Sequence, residues 1–162
     1  MNAIELLKQQ HEEAKSLFRQ IESAKDPAKK TELFEGLADA LAVHATIEEK
    51  HFYPAAKSGA TEDLLREALE EHLSAKRLIA DLLECDPEDD QFDAKVMVLR
   101  EQIEHHIEEE EGELFPKVKK LLSGDELEDL AVVMEDLADE LKEQGAPRAA
   151  VPGETSEAAP LH

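Results

Sequence analysis

The feature that most constrains the fold of this chain is an internal repeat. The segment HEEAKSL, which begins at His11, corresponds to HLSAKRL, which begins 61 residues later at His72. The segment HATIEEKHFYP from His44 corresponds to HIEEEEGELFP from His106, 62 residues later, so the copies differ by one residue of loop. Two related halves of this kind are typical of two helical hairpins that pair with each other. The repeat therefore predicts an all-α fold, an antiparallel four-helix bundle with up-down connections.

Apolar residues recur at the three- and four-residue spacing of α-helices through both copies of the repeat. The composition agrees, because Leu, Ala, Glu and Lys dominate, while 41% of the residues are hydrophobic and 36% are charged. Start and stop signals such as Asn2, Pro27 and Gly59 bound the helices. The predicted helices are Ala3–Ala24, Pro27–Tyr53, Glu62–Glu84 and Phe92–Phe115, followed by a short helical segment after Pro116 and a fifth helix that Ser123 caps.

Length and composition divide the chain into parts. A length of 162 residues is enough for one domain with a single core. We predict the four-helix bundle over residues 1–122 and an additional C-terminal helix over residues 123–144. From Gly145 onward, Ala, Pro, Gly, Glu and Ser dominate without helical periodicity, which is typical of a disordered chain. Residues 145–162 are therefore predicted to form a disordered tail.

The charge of the chain restricts its partners. The net charge is −22, and a surface this negative repels phosphate backbones and attracts cations, so we expect no nucleic-acid partner. No apolar stretch is as long as a membrane span, and the N-terminus lacks the pattern of a signal peptide, so we expect no membrane partner. Cys85 is the single cysteine, which fits a reducing compartment. The expected location is the cytoplasm.

Histidines lie on the apolar faces of all four predicted bundle helices. His44 and Glu48 are one helical turn apart, separated by about 6 Å along the helix axis. His106 and Glu110 repeat this arrangement in the second copy. Burying two carboxylates and four imidazoles together is costly unless a pair of metal ions supplies the counter-charge. The predicted metal ligands are His11, His44, Glu48, His72, His106 and Glu110.

The metal-free protein should differ from the metal-bound one in the charge of its centre. Without a metal pair, Glu48 and Glu110 are expected to lack a counter-charge, so their pKa values should rise and the bundle should loosen. By the symmetry of the repeat, the histidines of the first two helices would bind one ion and those of the last two helices the other. Each of the two glutamates would bridge the ions, with one carboxylate oxygen for each ion.

His105 and His106 compete for one position in this set. The apolar stripe through Val96, Leu99 and Ile103 leads to His106, and the alignment of the two copies agrees. We therefore predict that His106 is the ligand and that His105 is a solvated surface residue.

His51 continues the apolar stripe one turn after Glu48, but its partner in the repeat is Glu113. It is either a hydrogen-bonding group behind the ligands or a residue just beyond the site. We favour the second, because long helices often carry polar residues near their ends. A ferritin-like di-iron site would need Glu-x-x-His on two helices, and only the first copy has it. That type of site would also leave His11 and His72 without a role.

This pattern resembles the hemerythrin-like family of HHE cation-binding domains. The resemblance covers about residues 1–122, and the FYP and LFP endings after each His-x-x-x-Glu add to it. It implies a four-helix bundle around a non-haem di-iron centre, with dioxygen or related small oxidants as substrates. The residues that carry it, and that it implies as iron ligands, are His11, His44-x-x-x-Glu48, His72 and His106-x-x-x-Glu110.

The chain departs from the oxygen-carrying hemerythrins in two ways. Those proteins have a second histidine one turn after the third-helix histidine, where this chain has Lys76. They end in His-x-x-x-x-Asp, where this chain has His106-x-x-x-Glu110. With a bridging oxide or hydroxide, each iron would have five donors, which favours reaction with O2, peroxide or NO over oxygen carriage. The alternative is a protein that stores iron, or senses iron or oxygen, without turnover.

Overall fold

The computed structural model of the chain describes residues 1–162, and all of its regular structure is helical, as predicted. None of its helices combines the length and the apolar character that a membrane span needs. The helices are, in chain order, α1 (Ala3–Ser23), α2 (Pro27–Ile47), α3 (Tyr53–Ala56), α4 (Glu62–Leu83), α5 (Asp90–Glu109), α6 (Phe115–Leu121) and α7 (Gly124–Glu143).

The four long helices of the repeat pack as two neighbouring pairs. Helix α1 packs against α2 and α5, and α4 packs against α5 and α2. These contacts are those expected of two hairpins that pair side by side. The up-down order of the four helices stays a prediction. Helix α7, the predicted fifth helix, lies against α1 and α2.

A polar layer divides the apolar interior of the bundle into two cores. One core contains Phe52 and Phe115 and the other contains Phe18, Phe34 and Phe92. Along the chain, each of the four histidines lies near the change from residues of one core to residues of the other. On α1, for example, the histidine lies between Leu7 and Ala14, which belong to different cores. The four histidines therefore lie at one level between the cores.

Two π-helical turns interrupt the helices at equivalent places in the repeat. They span Glu48–Phe52, between α2 and α3, and Glu110–Leu114, between α5 and α6. The residue after each turn donates its N–H to the carbonyl five residues earlier. A proline follows in both copies, Pro54 and Pro116. Because proline has no N–H and crowds the carbonyl four residues earlier, the α-helical ladder cannot pass it unchanged.

Two predicted helix caps are confirmed. The Asn2 side chain accepts the N–H of Glu5 at 2.9 Å and so begins α1. Ser123 and Glu126 form a capping box at the start of α7. Each cap satisfies N–H groups that the first helical turn leaves without partners, which explains why these helices start where the sequence predicts.

The disordered tail is not confirmed. After α7, Gly145 adopts a φ of +128°, which other residues rarely adopt, and turns the chain back onto the bundle. Residues Pro147–Glu154 form a 3-10 helix, which we call the C-terminal strap, and it packs against α2 and α4. Composition alone failed to predict this, because one buried apolar residue, Val151, and a few ion pairs hold the segment in a groove that the rest of the chain supplies.

Candidate metal centre

The six predicted ligand residues are buried together in the polar layer. Eight polar or charged residues of the chain are buried, and these six are among them. Glu48 is completely inaccessible and Glu110 is 2% exposed. Free carboxylates almost never occupy such positions without a partner, so the burial needs a physical explanation.

The side chains form two groups of three whose nitrogen and oxygen atoms could hold an ion. In each group, the potential ligand atoms all lie within 4.8 Å of one another. The first two helices supply the histidines of one group and the last two supply those of the other, as the repeat predicts. The groups are His11, His44 and Glu110, and Glu48, His72 and His106.

Each glutamate lies between one histidine of each group. Glu48 Oε1 lies 3.0 Å from Nε2 of His44 and 3.1 Å from Nε2 of His72. In the second copy, Glu110 Oε1 lies 3.1 Å from the Nε2 atom of His11 and 3.4 Å from that of His106. A carboxylate in this position can reach an ion on either side.

Two buried atoms of the centre have no hydrogen-bond partner. His44 Nε2 is 3.0 Å from the carboxylate of Glu48, but the orientation does not make a hydrogen bond. Glu48 Oε2 likewise has no partner. One of these atoms belongs to each group of three, and each is a type of atom that binds iron. Because an unsatisfied buried polar atom costs about 1–3 kcal/mol, the residues fit a pair of metal ions well.

The outer nitrogens of the histidines are held by a second set of side chains that also follows the repeat. An acceptor on Nδ1 fixes the ring orientation and leaves Nε2 directed into the centre. Sequence reasoning assigned these partners no role. The pairs, with their Nδ1 to oxygen distances, are His11 and Glu111 (2.7 Å), His72 and Glu49 (2.8 Å), His44 and Gln10 (2.7 Å), and His106 and Glu71 (2.8 Å).

Tyr53 also lies in the centre, although the sequence pattern did not predict it there. Its hydroxyl donates to Glu110 Oε2 at 2.7 Å and lies 3.2 Å from Glu48 Oε1. Its ring stacks on His72, as the ring of its repeat partner Phe115 stacks on a histidine of the other half. Burial and the two carboxylates raise the pKa of Tyr53 well above its usual range, so the hydroxyl keeps its proton. The Y of FYP was the signal that could have identified it.

The expectation that Glu48 and Glu110 have raised pKa values in the metal-free protein is wrong. Burial and the Glu110 carboxylate raise the pKa of Glu48, but His44 and His106 outweigh them and hold it at about 2. Burial also raises the pKa of Glu110, which His106 nevertheless keeps well below its usual range. The histidines take the protons instead. Burial lowers the pKa of His44, but the two carboxylates outweigh it and raise this pKa to about 9.

An apolar cavity adjoins the histidines. All four of them contribute to its wall, and most of the remaining wall is aliphatic, including Leu41, Ile79 and Ile103. The cavity encloses about 70 Å³, which is enough for a few water-sized molecules. A small uncharged molecule can therefore occupy a space next to the centre.

The remaining candidate residues lie as follows. His105 has a side chain that is 62% exposed and lies 3.0 Å from Glu109, as expected of a surface residue. His51 is half-buried and makes no hydrogen bond or ion pair with the six residues, so it lies beyond the site. Lys76 is buried, and its Nζ atom lies 3.0 Å from the Glu49 carboxylate.

A helical bundle that buries two such groups of histidine and glutamate side chains is typical of a helical metal-binding protein. The sequence model of the hemerythrin HHE cation binding domain matches residues 2–118. Because this match covers well over half of the chain, the protein belongs to the hemerythrin HHE cation-binding domain family.

A solved structure and a characterised relative are similar to this chain. The structure is that of a hemerythrin HHE cation binding domain-containing protein, the Rv2633c homolog from Mycobacterium kansasii. It shares 29% identity at a TM-score of 0.78, over 95% of this chain and 99% of that one. A protein named DNA nickase, from Nostoc sp. (strain PCC 7120), is 28% identical over 131 residues. That match covers 81% of this chain but only 37% of the Nostoc protein, so the chain spans little more than a third of its length.

Proposed function

We propose that the chain holds two iron ions through the six residues and reacts there with a small oxidant, O2, peroxide or NO. The observation that carries this proposal is the position of the two glutamates. Glu48 and Glu110 each lie within 3.4 Å of one histidine from either group, which suits carboxylates that bridge two ions. Membership of the HHE cation-binding family supports a metal, and the mixture of imidazole and carboxylate donors suits iron.

The chain's own residues prepare the site for this chemistry. When bound, an iron pair supplies the electrons that a small oxidant accepts. Tyr53 holds a proton at its hydroxyl, 2.7 Å from Glu110, and so orients that carboxylate. The aliphatic wall of the cavity limits the water beside the histidines. The oxidant can then contact the centre from a largely dry space.

Lys76 favours reaction over reversible oxygen carriage. It takes the place of the extra histidine of the oxygen carriers, and a protonated amine cannot donate to a metal. Its Nζ atom is held by Glu49 at 3.0 Å and by Glu154 at 3.2 Å. Both ions would therefore keep an open position, and one oxidant molecule could reach the two together.

The second candidate function is iron storage, or sensing of iron or oxygen, without turnover. The same six ligands would support it. The hydrogen bonds to the outer histidine nitrogens would orient these ligands for storage or sensing as well as for reaction. DNA nicking is the named activity of the Nostoc relative, of which this chain covers only 37%. A net charge of −22 opposes a DNA partner, so we do not extend that activity to this chain. A cytoplasmic location stays a prediction.

The two candidate functions predict different behaviour toward peroxide. We expect the anaerobically iron-loaded protein to consume added hydrogen peroxide over many equivalents by disproportionation to water and O2, in which one peroxide molecule supplies the electrons that another accepts. The reason is that two open positions would face the cavity. Peroxide concentration and the visible spectrum of the diferric protein would be followed together. Reversible O2 binding through repeated cycles, with peroxide left unconsumed, would contradict the proposal. Loading and release of iron without peroxide consumption would support storage.

A Lys76→His variant is the matched test of the open position. It supplies the imidazole that oxygen carriers have, so we expect slower peroxide consumption and more stable O2 binding. Lys15, the repeat partner of Lys76, pairs only with the exposed Glu12 and provides the control as Lys15→His. Equal peroxide rates in the wild-type protein and both variants would show that position 76 does not set reactivity.

A further inference from the structure

The C-terminal strap, Pro147–Glu154, is anchored to helices on both of its sides. On the α2 side, the Arg148 backbone N–H and guanidinium both donate to the Asp39 carboxylate at 2.9 Å, and Glu35 pairs with the same guanidinium at 2.7 Å. On the α4 side, Arg77 donates to the carbonyl of Thr155, the residue that directly follows the strap, at 2.9 Å. These are charge-assisted hydrogen bonds, roughly twice as strong as neutral ones.

Lys76 connects the strap to the centre. Its Nζ atom forms an ion pair with Glu154 at the end of the strap and donates a hydrogen bond to the carboxylate of Glu49. Glu49 in turn accepts a hydrogen bond from Nδ1 of His72. The strap therefore contacts α2, α4 and, through two side chains, a histidine of the metal centre.

Val151 is the one buried residue of the strap. It is 2% exposed, whereas its neighbours Ala149, Ala150 and Pro152 are exposed. Val151 belongs to the apolar core on the strap side and also forms part of the wall of the cavity that the four histidines line. Its isopropyl group is thus the strap's contribution to the wall of that cavity.

We propose that the strap is a size filter and that Val151 determines which oxidant reaches the histidines. This inference rests on the proposed function, because it concerns the substrate of the same site. Hydrogen peroxide, O2 and NO each contain only two non-hydrogen atoms and fit a cavity of about 70 Å³. A hydroperoxide that carries a tert-butyl group needs more room and is excluded while Val151 is in place.

The test compares two strap variants with a matched control. Val151→Ala shortens the side chain in the wall. Arg148→Ala removes the guanidinium contacts with Asp39 and Glu35 on α2, while leaving the apolar core unchanged. Arg66→Ala is the control, because Arg66 forms a similar ion pair with Glu62 on α4 but does not touch the strap. Melting temperatures and iron content would establish that each variant is folded and loaded.

Two measurements are made on the iron-loaded proteins. The first is the ratio of the rates at which tert-butyl hydroperoxide and hydrogen peroxide oxidise the diferrous protein in a single turnover. The two ferrous ions would supply the two electrons that reduce the hydroperoxide to tert-butanol and water, or hydrogen peroxide to water. We expect this ratio to rise about tenfold in both strap variants, because Val151→Ala widens the wall and loss of the Arg148 guanidinium permits local opening. The second is the rate at which bipyridine, a bulky chelator, removes ferrous iron, which should rise similarly. Arg66→Ala should match the wild-type protein in both.

The two measurements separate this inference from the proposed function. If no protein consumes any peroxide, the proposed function fails, and the chelator rates alone decide whether the strap restricts access. If hydrogen peroxide is consumed but both the ratio and the chelator rate are unchanged in Val151→Ala and Arg148→Ala, the strap is not a filter. A tenfold rise in the Arg66→Ala control would also overturn the inference.

Discussion

Replacement of His106 should abolish tight iron binding, while replacement of its neighbour His105 should leave it nearly intact. His106 is 5% exposed, and its Nε2 atom lies 3.4 Å from Glu110 and 3.9 Å from Glu48. His105 has a side chain that is 62% exposed. Loss of the outer partner of a metal-binding histidine typically costs about 10–100-fold in affinity. Loss of the ligand itself should therefore cost more than about 100-fold.

Anaerobic iron loading followed by metal analysis provides the measurement. Six ligands with two bridging carboxylates predict about two iron ions per wild-type chain. We expect the same content for His105→Ala and well below one for His106→Ala. Because alanine leaves a cavity, His106→Gln serves as a second variant of closer size. Retention of two ions in both His106 variants, with loss in His105→Ala, would show that the register of the second copy is shifted by one residue.

Metal loading should raise the melting temperature by about 10 °C. A ligand that binds only the folded state stabilises it by about 4 kcal/mol when its free concentration is a thousand times the Kd. For a domain of this size, each kcal/mol raises the melting temperature by about 2–4 °C. Equal melting curves for the iron-free and the iron-loaded protein, measured by circular dichroism under anaerobic conditions, would contradict a buried metal site.

This stabilisation should also increase with pH. In the metal-free protein the pKa of His44 is raised to about 9 from an ordinary 6.5, so its protonated form stabilises the fold fully below pH 6.5. That contribution is lost as the pH rises through 9. The metal-bound histidine has no such proton to lose. The difference in melting temperature should therefore widen between pH 6.5 and 9, and a difference that narrows over this range would contradict the predicted coupling.

Acid should also lower the stability of the metal-free protein, and here the group responsible is Glu48. The pKa of Glu48 is held at about 2, below its ordinary 4.5. Its contribution to stability is present above pH 4.5 and is lost as the pH falls through 2. The metal-free centre is thus most stable between about pH 4.5 and 6.5, where its carboxylates are ionised and His44 is protonated.

Much of the site could be predicted because the two copies of the repeat can be aligned with each other, so that each candidate ligand is tested against its counterpart. A single His on an apolar face is weak evidence, but the same His-x-x-x-Glu in both copies identified the residues that the structure brings together. The choice between His105 and His106 depended on the apolar stripe, which reports side-chain direction directly.

Tyr53 shows where the prediction from the sequence failed. It assumed α-helical spacing after Glu48, and that spacing places His51 on the face of the site. A π-helical turn contains one residue more than an α-helical turn. The next residue after Glu48 on the face of the site is therefore Tyr53 and not His51. A π-helical turn has no signature in hydrophobic periodicity. The proline at position 54 is its only local sign in the sequence.

The strap was missed for a different physical reason. Its sequence has no periodic apolar face, and low apolar content is normally typical of disorder. Here Arg148 and Arg77 bind acidic and carbonyl groups of distant segments, and such contacts do not depend on local pattern. Pro147 and Pro152 also restrict the unfolded segment, which lowers the entropy lost when it packs.

The two π-helical turns determine where the chain can change in length. Since each residue turns an α-helix by about 100°, deletion of one residue between Glu48 and Tyr53 would rotate the phenol away from Glu110. The two copies of the repeat differ by one residue in total, yet the separation of His44 from Pro54 equals that of His106 from Pro116. Alignment gaps among relatives should therefore fall in the loops between helices and be excluded from these two segments, where an insertion or deletion would remove the centre without changing any of its ligands.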